Sequence, residues 1–141
     1  MINFKVVDGH QLQEEFNKCD NRLRFIVFAL AMYLYYKYKY CITITSVMRT
    51  QKEQDSIYGD NPEYKKQKWQ SVHQFGRGID IRDSDMVDAI KNDAYLFLEQ
   101  VIYNGDKHTA LNHNVQGLHF HIQTNSDNIT ELSKITGRYD I

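Results

Sequence analysis

Two stretches of this chain, SVHQFGRGIDIR (residues 71–82) and GLHFHIQ (residues 117–123), carry the most information about its fold. In the first, Asp80 follows His73 by seven positions across a turn that contains two glycines. In the second, two histidines alternate with apolar residues, and alternation with period two predicts a strand with both histidines on one face. The pattern therefore predicts a sheet that brings a loop histidine, a strand carboxylate and a histidine pair together.

Side chains of these types can form a zinc site. Zn²⁺ binds imidazole nitrogen and carboxylate oxygen, and a catalytic zinc site uses three protein ligands and keeps the fourth position open. Gly76 and Gly78 suit a tight turn between a loop ligand and a strand ligand, because glycine tolerates close backbone approach and positive φ. We expect the ligands to be His73, Asp80 and one histidine of the later pair.

The motif SxHxxGRxxD followed by HxH resembles the zinc peptidases that share a fold with lysostaphin, D-Ala-D-Ala carboxypeptidase and the hedgehog signalling domain. SVMRTQKEQ, residues 46–54, extends the resemblance to the D-Ala-D-Ala carboxypeptidase-like branch, which includes endolysin-type L-alanyl-D-glutamate peptidases. In that branch a strand ends in an arginine near the substrate, and a glutamine follows on a helix. The resemblance covers residues 42–123 and implies one zinc-peptidase-like domain over residues 1–141.

The resemblance also implies roles for individual residues. In the lysostaphin and hedgehog branches the second histidine of HxH is the ligand, so the metal ligands would be His73, Asp80 and His121. His119 would then stand beside the metal and handle protons in catalysis, although the swap of His119 and His121 remains open. The implied reaction is hydrolysis of a stem-peptide or cross-bridge amide bond in peptidoglycan by a water that Zn²⁺ activates.

The chain departs from the carboxypeptidase branch at the general base. Those enzymes carry an acidic residue three positions before the ligand histidine, where this chain has Leu118 before His121 and Gln116 before His119. Imidazole exchanges protons near neutral pH, so His119 can take the role. Alternatively the base comes from the preceding loop, or the protein is an inactive relative that serves as a structural or binding component of a phage particle. The loop candidates are Asp106, His108 and His113.

Arg49 is the strongest candidate for contact with substrate. It lies two positions after the alternating segment CITITSV, and its planar guanidinium can pair with a carboxylate or a polarised carbonyl through two parallel hydrogen bonds. Gln54 and Ser71 are weaker candidates for substrate binding. The expected partner is therefore a peptidoglycan peptide.

Composition excludes other classes of partner. With 17 basic and 18 acidic side chains, the net charge of −1 gives no general attraction to nucleic acid or to anionic lipid.

The apolar run FIVFALAMYLYY, residues 25–36, is shorter than the roughly 20 residues that span a bilayer, so a core helix is favoured over a membrane helix. The N-terminus lacks the pattern of a secretory signal. We expect the protein in the host cytoplasm until lysis, or in a phage virion.

The predicted fold class is α+β, with a small antiparallel sheet that carries the zinc site and helices packed on one face. Apolar periodicity predicts helices over residues 12–38 and 85–103, and Thr50 is a plausible N-cap for a short helix that Gly59 ends. Residues 61–70 and 105–117 are predicted to be loops. The predicted strands are residues 41–47, 76–82 and 118–124.

Overall fold

The computed structural model describes residues 1–100, 110–114 and 118–124. In this part of the chain the strands are β1 (Ile2–Phe4), β2 (Ile42–Ser46), β3 (Gly78–Arg82), β4 (Ala110–Asn114) and β5 (Leu118–Gln123). The helices are α1 (Leu12–Asn17), α2 (Asn21–Tyr38), α3 (Gln51–Tyr58), α4 (Pro62–Lys66) and α5 (Asp88–Gln100), and Val72–Phe75 forms a 3₁₀ turn.

The described strands form one sheet in the order β1-β2-β3-β5-β4. The predicted α+β class is confirmed. The prediction of an antiparallel sheet is wrong at one edge, because β1 runs parallel to β2 while the other neighbours are antiparallel. Parallel neighbours need a crossover connection, and α1 and α2 provide it between these two strands. The sheet is therefore mixed.

The helix predicted over residues 12–38 is two helices. The chain leaves helical geometry after Asn17, and Asp20 starts α2 by accepting a hydrogen bond from the backbone N–H of Arg22. An aspartate at this position satisfies one of the donors that a helix start leaves without a partner. The helix ends at Lys39, which adopts a left-handed conformation with φ of 56°.

The core lies between the sheet and the long helices. Alternate residues of β3 and β5, such as Ile79 and Ile122, face α2 and α5, whereas Asp80 and His121 face the opposite side. This confirms the prediction that helices cover one face of the sheet, and that the apolar run 25–36 belongs to a core helix. Fully buried side chains of this core are Leu23, Val27, Leu30, Leu34, Ile42, Ile44, Ile79, Ile81, Leu98, Phe120 and Ile122. Among the described residues, no helix combines the length and apolarity needed to cross a membrane.

The predicted start and end of α3 are confirmed, whereas each of the two predicted loops contains a regular element. Thr50 caps α3 as expected, and Gly59 follows the helix directly. The predicted loop 61–70 contains α4, because Asn61 caps its start and Pro62 at the first turn needs no hydrogen-bond partner for its nitrogen. The predicted loop 105–117 contains β4, which pairs with β5 at the edge of the sheet, and α5 ends at Gln100 within the described residues.

Candidate metal centre

The 3₁₀ turn holds His73 at the end of β3. Ser71 begins this turn by accepting a hydrogen bond from the backbone N–H of His73 at 3.2 Å, and Gln74 accepts one from the N–H of Ser71 at 2.9 Å. This reciprocal pair satisfies the backbone donors at the start of the turn. Ser71, predicted to bind substrate, lines the cleft described below but its hydroxyl is already used to hold the turn.

Two glycines let the turn approach the sheet closely. Gly76 ends the turn with φ of +66°, a left-handed conformation that glycine adopts at little cost. At position 78 a Cβ atom would lie 2.6 Å from the Cγ2 atom of Val72 and 3.2 Å from the Cε1 atom of His121. The predicted reasons for glycine at these positions, positive φ and close approach, are both confirmed.

The strand register places the other candidate ligands. Asp80 of β3 pairs with His121 of β5, and Arg82 pairs with His119 two residues along. The Asp80 Oδ1 atom lies 3.3 Å from His73 Nε2, 3.0 Å from His121 Nδ1 and 3.4 Å from His119 Nε2. His73, Asp80 and His121 are buried, their ligand atoms lie within 4.8 Å of one another, and they could hold a metal ion.

Hydrogen bonds on the far side of each ring fix which nitrogen faces the carboxylate. The Nδ1 atom of His73 lies 2.8 Å from the carbonyl oxygen of Val47, and the Nε2 atom of His121 lies 2.7 Å from the Oε1 atom of Gln123. Because a backbone carbonyl oxygen only accepts, His73 Nδ1 donates to Val47, and the Oε1 atom of Gln123 can accept the proton of His121 Nε2. In a neutral ring His73 Nε2 therefore carries a lone pair, and the His121 tautomer that donates to Gln123 leaves a lone pair on Nδ1, as metal ligands require.

The electrostatics of the group fit a cation. Burial lowers the pKa of His73, although the nearby Asp80 carboxylate opposes that shift. Burial would raise the pKa of Asp80, but the three histidines around it hold that pKa well below its usual range. Two imidazole rings and an ionised carboxylate that converge are a donor set that suits a divalent metal ion.

His119 has a different environment from His121. Its side chain is 14% exposed, and it lines an open cleft of about 450 Å³ together with the three candidate ligands. It reaches Asp80 at 3.4 Å, but it is not among the three residues whose ligand atoms group most closely. A partly exposed imidazole beside a metal site can exchange protons with a bound molecule.

Arg49 lines the same cleft and is held in place by its neighbours. Its backbone N–H donates to the carbonyl oxygen of His73 at 3.1 Å, and its Nη1 atom donates to the Oε1 atom of Gln54 at 2.9 Å. Gln54 is fully buried and also donates to the carbonyl oxygen of Trp69 at 3.4 Å. Gln54 therefore supports Arg49 and is not among the residues that line the cleft.

Of the three alternative bases in the loop, His113 is the one that lies among the described residues. Asp106, His108 and Gln116 lie outside the described residues. His113 belongs to β4, where its backbone stands opposite His119 in the strand register.

Sequence reasoning missed a second, partly buried polar group beside the cleft. The ring of His10 lies between the carboxylates of Glu15 and Glu53, with Nδ1 3.0 Å from Glu15 Oε2 and Nε2 2.7 Å from Glu53 Oε1. His10 and Glu53 line the cleft, and Glu15 is buried beneath them. One available signal was the Thr50-x-x-Glu53 spacing of a capping box, which places Glu53 in the first turn of α3.

Comparison with known proteins identifies no relative. No family model, no curated protein and no solved structure matches this chain.

Proposed function

We propose that the protein is a zinc-dependent peptidoglycan peptidase, an endolysin or virion-associated lysis enzyme, that hydrolyses a stem-peptide or cross-bridge amide bond. The observation that carries this proposal is the group of His73, Asp80 and His121, which lies in an open cleft that Arg49 also lines. Imidazole nitrogen and carboxylate oxygen suit Zn²⁺, and three protein ligands are the usual number for a catalytic zinc site.

Zn²⁺ bound by His73, Asp80 and His121 would supply a Lewis acid that polarises the scissile carbonyl and lowers the pKa of water. In the proposed reaction His119 accepts a proton from the attacking water at Nε2 and returns it to the leaving amide nitrogen. A residue in this role needs access to the substrate, and the exposure of His119 to the cleft supports it.

Arg49 binds the substrate in this proposal. Its guanidinium can pair with a substrate carboxylate or a polarised carbonyl. Hydrogen bonds to His73 and Gln54 already restrict Arg49, so it loses less conformational entropy when substrate binds. A peptide that carries a carboxylate close to its scissile bond fits a cleft with an arginine next to the metal group.

A second candidate function is that of a catalytically weak or inactive relative, which acts as a structural or binding component of a phage particle. Its support is the absence of an acidic residue three positions before His121, where Leu118 stands. Among the described residues that line the cleft, the carboxylates besides Asp80 are Asp8 and Glu53, and Glu53 already contacts His10 and Thr50.

A zymogram on bacterial cell walls decides between the two candidates. We expect a zone of clearing that a chelator abolishes and added Zn²⁺ restores. Asp80→Ala should give no clearing, whereas Tyr40→Phe, which removes a hydroxyl bonded to Asp85 outside the cleft, should clear like the wild type. Wild-type protein that contains zinc but clears no cell wall would favour the second candidate.

A further inference from the structure

The partly buried group of His10, Glu15 and Glu53 joins three parts of the chain. His10 precedes α1, Glu15 lies within α1, and Glu53 lies in the first turn of α3. The imidazole ring presents one nitrogen to each carboxylate, at 3.0 Å and 2.7 Å. A protonated imidazole has two N–H donors on opposite sides of its ring, so a single histidine can bridge two carboxylates that would otherwise repel each other.

Both bridged carboxylates also hold the backbone next to Arg49. Glu15 Oε1 accepts a hydrogen bond from the N–H of Met48 at 3.1 Å, and Glu53 Oε2 accepts one from the N–H of Thr50 at 3.2 Å. The N–H of Arg49, between them, donates to the carbonyl oxygen of His73 at 3.1 Å. Three consecutive backbone donors are therefore fixed, two of them by carboxylates that His10 connects.

The same segment orients a candidate metal ligand. The carbonyl oxygen of Val47 accepts the hydrogen bond from His73 Nδ1 that leaves His73 Nε2 for the metal group. Residues 47–50 thus join the metal group to the substrate arginine, and displacement of this segment would move Arg49 relative to the scissile bond.

We propose that His10 is a positioning residue, which ties Glu15 to Glu53 and thereby fixes residues 47–50 so that Arg49 is held at a set distance from the metal group. This inference rests on the proposed function for the substrate role of Arg49. Its structural part, the fixing of residues 47–50, is independent of catalysis.

Amide hydrogen exchange tests the structural part. In His10→Ala we expect faster exchange at the amides of Met48, Arg49 and Thr50, with β3 unchanged, because two of these donors lose a fixed acceptor. Tyr40→Phe is the control and should leave all of these amides as in the wild type. Should His10→Ala fail to fold, Glu53→Ala breaks the bridge from its more exposed side and should accelerate the amide of Met48, which Glu53 reaches only through His10 and Glu15. Unchanged exchange in the folded variant overturns the proposal.

Kinetics test the positioning of Arg49. His10→Ala should keep its zinc and lower kcat/KM by about 10- to 100-fold, the scale that a small misplacement of a substrate-binding group can produce, mainly through a higher KM. In the Arg49→Lys background the same change should have little further effect, because the group that it positions is already altered. If the losses in kcat/KM of the two single variants add fully in the double variant, His10 acts independently of Arg49, and the positioning role is wrong.

The two proposals fail in different ways. If the zinc-loaded wild type cleaves no cell wall, the proposed function is wrong, and the exchange of residues 48–50 still decides whether His10 fixes the segment. If the wild type cleaves and His10→Ala matches it in exchange and in KM, the proposed function stands and the positioning role is wrong.

Discussion

Two histidine–carboxylate groups, a buried one around Asp80 and a partly buried one around His10, lie beside the same cleft, and they are completed in different ways. At His10 each ring nitrogen faces its own carboxylate, and each carboxylate also accepts a hydrogen bond from a backbone N–H. Hydrogen bonds alone, without a metal ion, can therefore satisfy the polar atoms of this group. At Asp80 the nitrogens of three rings approach a single oxygen atom. The other nitrogen of the His73 ring donates to the carbonyl oxygen of Val47, and the other nitrogen of the His121 ring lies 2.7 Å from the Oε1 atom of Gln123.

The hydrogen bonds of the two groups distinguish a structural bridge from a group that could hold a metal ion. A lone pair directed at a carboxylate is unfavourable unless a cation stands between them, whereas an N–H directed at a carboxylate is favourable by itself. Changes in the Asp80 group should therefore act on metal binding and cleavage. Changes in the His10 group should act on stability and on the position of Arg49.

The largest expected effect is at His119. His119→Ala should retain its metal and lose about 10²- to 10⁴-fold in cleavage rate, the usual contribution of a proton-transfer group. The measurement is cell-wall cleavage together with zinc content, with His121→Ala as the paired variant. Zinc lost from His119→Ala and kept in His121→Ala would mean that the roles of the two histidines are reversed.

Arg49→Lys should have the next largest effect. Lysine keeps the charge but replaces a planar fork by a point charge on a flexible stem, so folding and zinc content should persist while activity falls by about 2 kcal/mol, the size of a hydrogen bond to a charged group. That loss corresponds to about 30-fold in kcat/KM. Full activity of this variant on intact peptidoglycan would reduce Arg49 to a surface charge.

Gln123 offers a smaller test of how His121 is oriented. Its Oε1 atom accepts the proton of His121 Nε2 at 2.7 Å, and partners of this kind typically contribute about 10- to 100-fold to metal affinity. Gln123→Ala should therefore bind zinc at least about tenfold more weakly in a competition with a chelating dye. Tyr40→Phe serves as the control, and equal affinities in the two variants would show that Gln123 does not orient the ligand.

The smallest effect concerns the pH dependence of the His10 bridge. Burial lowers the pKa of His10, but hydrogen bonds to Glu53 and Glu15 raise it by more, so the net shift is upward from 6.5. A raised pKa in the folded state means that this contribution to the free energy of unfolding is complete below the unfolded pKa and is lost as pH rises through the folded pKa. Urea unfolding of wild type and His10→Gln across that range should show a difference that shrinks with rising pH. A constant difference would mean that His10 does not gain a proton on folding.

The sequence predicted the metal group because its residues lie in short, regular patterns. Asp80 and His121 belong to strands whose alternation fixes the face of every side chain, and Ser71, Gly76 and Gly78 shape the turn that carries His73. Capping chemistry is equally local, so the start of α3 at Thr50 was also predictable.

The features that the sequence did not predict depend on distant contacts. His10 and Glu53 are 43 positions apart, and nothing near either residue indicates the pairing. The strand β1 has three residues, and β4 is polar and pairs at the sheet edge, so neither has a long apolar alternation. The break between α1 and α2 occurs within a broadly helical pattern, where a single capping aspartate, Asp20, outweighs the periodicity.

Zinc content measured on purified protein tests the central claim most directly. The wild type and Glu53→Ala, which alters the other histidine–carboxylate group, should each contain about one Zn²⁺ per chain, the content of a site with three protein ligands. Asp80→Ala and His73→Ala should contain almost none, because each variant leaves only two of the three ligands. Full zinc content in both Asp80→Ala and His73→Ala would contradict the assignment of the metal centre.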